Sequence, residues 1–276
     1  MSRRVLLPQI LVFVLFAGGG RAEEPNPPRV VALNPSLTAT LLALGARDAL
    51  VGVDDYSAQL EPRVRDLPRV GGLFNPSLEA IVGLEPDVVT MVPSAQHRSL
   101  RERLEALDIE VLAHSNVGFD ELLESIEALG ARVGRGEAAG ERIAAIRAAF
   151  EIERDPSAPR PTAVLVIQRD PLYVVGGGSF LDAMLRAAGV RNAGSEFAEP
   201  FPRVSVEWLI EAAPELILDA AEPPEAAHEH WARWPSLRAV AKGGVVTIAG
   251  DGIILPGPYL DHSLRRLEAR IAEVAR

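Results

Sequence analysis

The side chains able to do chemistry in this chain are few, and their spacing rarely lets them cooperate. Asp261-His262-Ser263 holds the residue types of a nucleophilic triad. Adjacent positions on one helix point apart and cannot converge, so a helix start is the better reading. Asp54 and Asp55 form a carboxylate pair of the kind used in acid–base work, yet sequence neighbours diverge, which favours turn or capping roles. His228-Glu229-His230 falls in a helical pattern, where positions two apart lie about 200° round the axis and cannot easily face one ion. His97 and His114 each follow a predicted strand and could ligate a haem or a metal, but neither shares a motif with a second ligand. Val175-Gly-Gly-Gly178-Ser179 could cradle a phosphate. It lacks the third glycine of a dinucleotide fingerprint and the lysine of a phosphate loop, and reads as a turn feeding a helix. No Gly-x-Ser-x-Gly elbow occurs. The chain is therefore expected not to be an enzyme, with no catalytic residue, no metal and no cofactor.

Composition narrows the classes further. Cysteine is absent, which removes disulfides, thiolate metal sites and a cysteine nucleophile. The one lysine, Lys242, stands in Ala-Lys-Gly-Gly and fits no ATP-binding loop. A net charge of −10 over 276 residues argues against nucleic acid and anionic membrane surfaces as partners. The 48% hydrophobic content is ample for a buried core. At the amino terminus, Arg3 and Arg4 precede an apolar run from Val5 to Phe16 and small residues at Gly20 and Ala22. That pattern reads as a secretory signal, residues 1–22, cut after Ala22 to release an exported, soluble protein.

With catalysis set aside, binding remains, and the elements say where. Arg29-Val-Val-Ala-Leu33, Val51–Val53, Asp87–Val92 and Ile109–Leu112 read as strands, with helices over Leu37–Leu44, Ser77–Leu84 and Leu100–Leu107. A second series has strands at Ala163–Ile167, Leu216–Leu218 and Val245–Ile248. Its helices cover Phe180–Ala188, Val206–Ala213 and Leu260–Val274, with a helical turn at Leu237–Ala241. Strands alternating with helices imply parallel sheets. The two series repeat each other. Ser77-Leu-Glu79-Ala-Ile81 through Val89 matches Ser205-Val-Glu207-Trp-Leu209 through Ile217 at an offset of 128, and Leu41–Asp48 matches Leu185–Asn192 at 144. Between them, Ala139, Ile143, Ile146 and Phe150 make one apolar helix face, ended by Pro156, Pro159 and Pro161. The fold class is thus α/β, two Rossmann-like lobes joined by a single long interdomain helix. The expected boundaries are 23–135 for the first lobe, 136–155 for the connecting helix and 156–276 for the second lobe. One helical crossing predicts limited lobe movement.

Ligands of open parallel sheets settle beyond the carboxyl ends of the strands. That rule selects Asn34-Pro35-Ser36, Asp54-Asp55-Tyr56, Pro93–Gln96, Gln168–Tyr173, Phe201 and Gly250-Asp251-Gly252. Aromatics are only 5% of the chain, yet Tyr56, Phe74, Tyr173 and Phe201 all fall in predicted loops, which suggests a cleft for a large flat or apolar ligand. Glu79 and Glu207 each suit a helix N-terminus. Their occurrence at matching points of both lobes suits a partner with pseudo-twofold basic sockets.

Arg29-Val-Val-Ala-Leu-Asn-Pro-Ser36, Leu-Gly-Ala46, Val51-Gly-Val-Asp-Asp-Tyr-Ser57, Leu67-Pro-Arg-Val-Gly-Gly72 and Asn75-Pro-Ser-Leu-Glu-Ala-Ile81 with Glu85-Pro-Asp-Val-Val89 resemble the periplasmic substrate-binding proteins of cobalamin and iron-chelate ABC importers. The resemblance covers essentially the whole mature chain and is greatest to the cobalamin-binding subfamily. It implies a corrinoid ligand held between the lobes and delivery to an ABC permease dimer, with Glu79 and Glu207 meeting permease arginines. By the same resemblance Pro35, Tyr56, Phe74, Tyr173, Phe201 and Asp251 line the cleft. The chain departs from the cobalamin pattern in having no tryptophan there, since Trp208, Trp231 and Trp234 lie elsewhere in the second lobe. The protein is expected to act as a monomer. A haem or ferric-siderophore binder of the same fold is the alternative, with His97 and Tyr56 or Arg169 as contacts, followed by an exported two-lobed enzyme or metallochaperone.

Overall fold

Strands β1 (Val30–Ala32), β2 (Leu50–Val53), β3 (Gly71–Gly72), β4 (Asn75–Pro76), β5 (Val88–Met91) and β6 (Glu110–Ala113) alternate with helices α1 (Pro35–Ala43), α2 (Asp55–Leu60), α3 (Leu78–Val82) and α4 (Arg98–Glu105) in the first half of the chain. These assignments come from a computed structural model that describes residues 26–151, 160–250 and 252–274, so the expected signal segment and Asp251 lie outside the described residues. The main sheet runs β2-β1-β5-β6, every pair parallel. Its inner strands β1 and β5 are wholly buried, as strands covered on both faces must be, and this is why they read as apolar runs, interrupted only by Thr90 of β5. Short polar side chains start the helices. Asn34 accepts from the Ser36 amide at 2.9 Å with Pro35 at the first helical position, and Asp54 accepts from Tyr56 and Ser57 amides. The Asp54-Asp55 pair is thus a cap, and Tyr56 lies in the first turn of α2, not in a loop.

The second half repeats the plan. It contains β7 (Thr162–Arg169), β8 (Leu172–Val174), α5 and α6 being the preceding helices Phe119–Arg132 and Gly136–Phe150, then α7 (Phe180–Ala187), β9 (Arg191–Asn192), α8 (Val206–Ala212), β10 (Leu216–Asp219), α9 (Ala227–Ala232), α10 (Arg238–Ala241), β11 (Val245–Thr247) and α11 (Leu260–Val274). Strands β9, β7, β10 and β11 are parallel neighbours in that order, matching β2-β1-β5-β6. The offset of 128 seen in the sequence carries β5 onto β10 and the start of α3 onto that of α8. Parallel pairing alone does not describe this lobe, because β7 turns back on itself and β8 pairs with it antiparallel. Tyr173 therefore sits in a strand. This hairpin is the extra chain that separates the first strand from the first helix in the second lobe.

Helix α5 was not among the elements read from the sequence, although Phe119, Leu122, Leu123, Ile126 and Leu129 mark its apolar face and Glu121 reaches back to the Gly118 amide. It packs along α6, which carries the chain between the lobes. One buried cluster joins Leu44, Leu122, Leu123 and Ile126 to Ala139 and Ile146 of α6 and on to Leu165, Leu181 and Leu264 of the second lobe. The core therefore runs through the joint instead of stopping at each lobe. Among the described residues no helix is long and apolar enough to cross a membrane.

Candidate functional site

The carboxyl ends of both sheets open on one cleft. It comprises two adjoining spaces of about 550 and 410 Å³ that share Asn116 and Pro256 as walls. Pro35, at the start of α1, and Tyr56, in α2, face the larger space together with Leu60, Leu73 and the segment from Gly252 to Tyr259. Tyr173 of β8 and Phe201 face the smaller one with Ile167, Phe180 and Ile254. The fold thus brings together four of the residues expected to line the cleft. Phe74 caps the β3–β4 turn, 69% exposed, and only its neighbour Leu73 lines the space. Asp251 lies outside the described residues, beside lining residue Gly252.

Local sequence explains the placement. Phe201 belongs to a loop sewn onto the glycine-rich run, with the Gly176 amide donating to Pro200 O at 2.8 Å and the Gly177 amide to Phe197 O. A Cβ on Gly176 would stand 2.0 Å from the Glu199 carbonyl oxygen, and one on Gly177 2.3 Å from that of Ser195. Those glycines are required by backbone contact, not by a phosphate. Ser179 then caps α7 by accepting from the Asp182 amide. On the other side, the two ring nitrogens of buried His97 stand 3.2 Å from Val92 O and 2.8 Å from Leu73 O, tying the β3–β4 turn to the end of β5.

Sequence reasoning missed Leu60, Asn116, Leu255 and Tyr259 as lining residues. Asn116 follows β6 and was reachable by the same carboxyl-end rule that selected the other cleft segments. Leu255 and Tyr259 depend on a loop whose path over the first lobe has no local signature. Five of the large hydrophobic side chains left exposed, Tyr56, Leu60, Phe201, Leu255 and Tyr259, line this cleft. Such a concentration of exposed apolar surface marks a binding site.

The charges around the cleft are largely spent on one another. Glu61 lines the larger space and pairs with Arg63 at 2.7 Å, and hydrogen bonding by Arg63 holds its carboxyl below the usual range. Arg169, an expected contact for an anionic chelate, is buried away from the cleft. It donates to Asp219 Oδ2 at 2.9 Å, to Ala221 O at 2.7 Å and to Pro223 O at 2.9 Å, so each guanidinium nitrogen already has an acceptor within the protein. His97 likewise serves the frame and does not line the cleft, which corrects its reading as a haem contact. Burial pushes the His114 imidazole down in pKa against the opposing charge of Glu124. Arg266, which lines the larger space, is engaged by another group. Among the described residues no three His, Cys, Asp or Glu side chains gather as a metal site would need. His228 and His230 ride on α9.

Glu79 and Glu207 occupy the second position of α3 and α8, each after a serine whose hydroxyl accepts from the amide three residues on. Both are exposed. Hydrogen bonds from its own backbone and from Ser205 hold the Glu207 carboxyl below its ordinary value.

Two parallel α/β lobes on a helical joint, with an apolar cleft at the carboxyl ends of both sheets, define a two-lobed binding protein. The match to known families is direct: residues 30–251 fit the family model described as "Periplasmic binding protein". The chain belongs to that family, whose members bind and transport and are not enzymes. It is 28% identical over 263 residues to the cobalamin-binding protein of Halobacterium salinarum, covering 88% of this chain and 69% of the relative. Its fold matches the crystal structure of the periplasmic vitamin B12 binding protein of Vibrio cholerae with a TM-score of 0.74 at 22% identity, covering 91% of this chain and 99% of that one. The periplasmic heme binding protein of the same organism is as close in fold, with a TM-score of 0.74 at 22% identity over 88% of this chain and 98% of that one. At such identities the structural likeness speaks for the fold alone.

Proposed function

We propose that this protein captures a cobalamin-like corrinoid between lobes 23–135 and 156–276 in the periplasm and hands it to an ABC import permease. The observation that carries this reading is the chemistry of the cleft. Exposed tyrosine, phenylalanine and leucine side chains from both lobes face one space, while Glu61, Arg169 and His97 are already engaged within the protein. A wide, apolar ligand with a neutral hydrogen-bonding periphery suits such walls. A carboxylate-bearing porphyrin or an anionic siderophore would look for free cations, whereas Arg266, which lines the larger space, and Arg63, paired with lining Glu61, are already engaged. The cobalamin-binding relative points the same way. Pro35, Tyr56, Tyr173 and Phe201 would then touch the ligand, with Phe74 at the rim; Asp251, a ligand contact by the resemblance, lies outside the described residues. Glu79 and Glu207, one per lobe at matching helix starts, would dock on the permease.

Calorimetric titration of the purified protein with cyanocobalamin, and in parallel with haemin, tests the reading. Tight one-to-one binding of cyanocobalamin alone is expected. Binding of haemin alone would move the ligand assignment, and binding of neither would sink it.

A further inference from the structure

Behind the cleft wall lies an ion pair that stability does not account for. Arg142, on the inner part of α6, contacts the carboxylate of Asp261 at the start of α11, and both side chains are largely buried. Asp261 also receives Arg265 at 3.1 Å and has His262 at 3.5 Å. Nε of Arg142 nevertheless makes no hydrogen bond among the described residues. A buried pair left partly unsatisfied is at best a weak source of stability, so its position calls for another explanation.

That position is directly under Tyr259. The Arg142 guanidinium lies 6.0 Å from the centre of the Tyr259 ring, and the His262 imidazole stacks on the same ring at 5.7 Å and 21°. The Tyr259 backbone is fixed as well, its carbonyl accepting from the His262 and Ser263 amides at 3.0 Å each. From the first lobe, Arg63 and Tyr259 interact electrostatically, which helps to raise the Arg63 pKa. A tyrosine pinned only to fill space would bury its ring. This one is held on several sides and stays 38% exposed, facing the larger space of the cleft.

We infer that Tyr259 is a preformed stacking platform for a planar conjugated ring of the ligand, and that Arg142 on the connecting helix is its positioning residue. The inference rests on the corrinoid reading above and adds to it the part of the ligand that this wall meets. A ring fixed before binding loses little rotamer freedom when the ligand arrives, which is how a support outside the cleft can raise affinity. The cation beneath the ring orients it without lining the cavity.

The test is calorimetric titration of cyanocobalamin and of dicyanocobinamide, which has the macrocycle but lacks the appended base. Wild type, Tyr259→Leu, Tyr259→Phe, Arg142→Met and the Arg142→Met/Tyr259→Leu double variant are compared. Tyr259→Leu should weaken cyanocobalamin binding about five- to tenfold, Tyr259→Phe less, and Arg142→Met about threefold. The double variant should bind no more weakly than Tyr259→Leu alone, because Arg142 acts through the ring, whereas a merely structural effect would multiply with it. A loss confined to cyanocobalamin places the base on Tyr259, and a loss for both corrinoids places the macrocycle there; either supports the inference. Unchanged affinity of Tyr259→Leu for both ligands, or multiplying losses in the double variant, would overturn it. Wild-type protein that binds neither corrinoid would instead remove the corrinoid reading and the inference with it. Should Arg142→Met fail to fold, Arg142→Lys, which keeps a charge beside Asp261, serves in the same cycle.

Discussion

Asp219 accepts from Arg169, from the Trp231 indole and from the Ala221 amide, and none of it reaches solvent. Replacing it by alanine would strand the Arg169 guanidinium in the core, so Asp219→Ala should cost roughly 3–5 kcal/mol, read from urea unfolding. The Asp261 carboxylate makes a pH-dependent contribution. Burial would raise its pKa, but the hydrogen bond and charge of Arg142, with the charges of His262 and Arg265, lower it on balance. A carboxyl whose folded value is depressed adds stability above its unfolded value, and that stability is lost as pH falls through the folded one. The stability gap between wild type and Asp261→Asn should therefore be full at neutral pH and shrink as pH falls below the ordinary 3.8 of a free carboxyl. A gap that stays constant down to pH 2 would rule this out.

At the scale of elements, the glycine-rich run and the Phe201 loop behave as one unit. Gly176→Ala would drive a methyl group into the Glu199 carbonyl, where the neighbour is backbone and cannot swing aside. A loss of about 1–3 kcal/mol is expected from overpacking, with weaker ligand binding because Phe201 moves with the loop. Thermal melting and the cyanocobalamin titration read the two effects separately. Helices α3 and α8 carry the docking proposal. Reversing Glu79 and Glu207 to arginine should abolish uptake in a transport assay while the purified protein keeps its affinity, since neither residue lines the cleft. A parallel fall in affinity would count against docking.

For the whole molecule, the continuous core across the joint predicts cooperative unfolding. Ile146, fully buried in α6 among side chains of both lobes, should cost about 2–5 kcal/mol as Ile146→Ala. Fluorescence, from tryptophans confined to the second lobe, and far-ultraviolet dichroism, from both, should lose signal at the same urea concentration. Separate transitions would mean that the lobes fold apart and that α6 is a tether, not a shared core.

Much of this architecture was written locally. Central strands buried on both faces must be largely apolar, so β1, β5, β7 and β10 stand out as short runs rich in valine, isoleucine, leucine and alanine. Asn34, Ser77, Ser179 and Ser205 announce helix starts, and Gly45 and Gly189, both at positive φ, announce ends. The repeat at 128 residues foretold the paired lobes. Pro35, Tyr56, Tyr173 and Phe201 followed from the carboxyl-end rule once the strands were placed. Other features answer to contacts distant in sequence. Whether Arg169 and His97 are free for a ligand is decided by Asp219 and Ala221 and by Leu73, none of them sequence neighbours. Tyr259 enters the cleft only because its loop crosses to the first lobe, and it is held there by Arg142 from the joint. Short-range patterns fix the period and the caps of elements, whereas burial, ion pairing and the shape of a cavity belong to surfaces that meet only when the chain is folded.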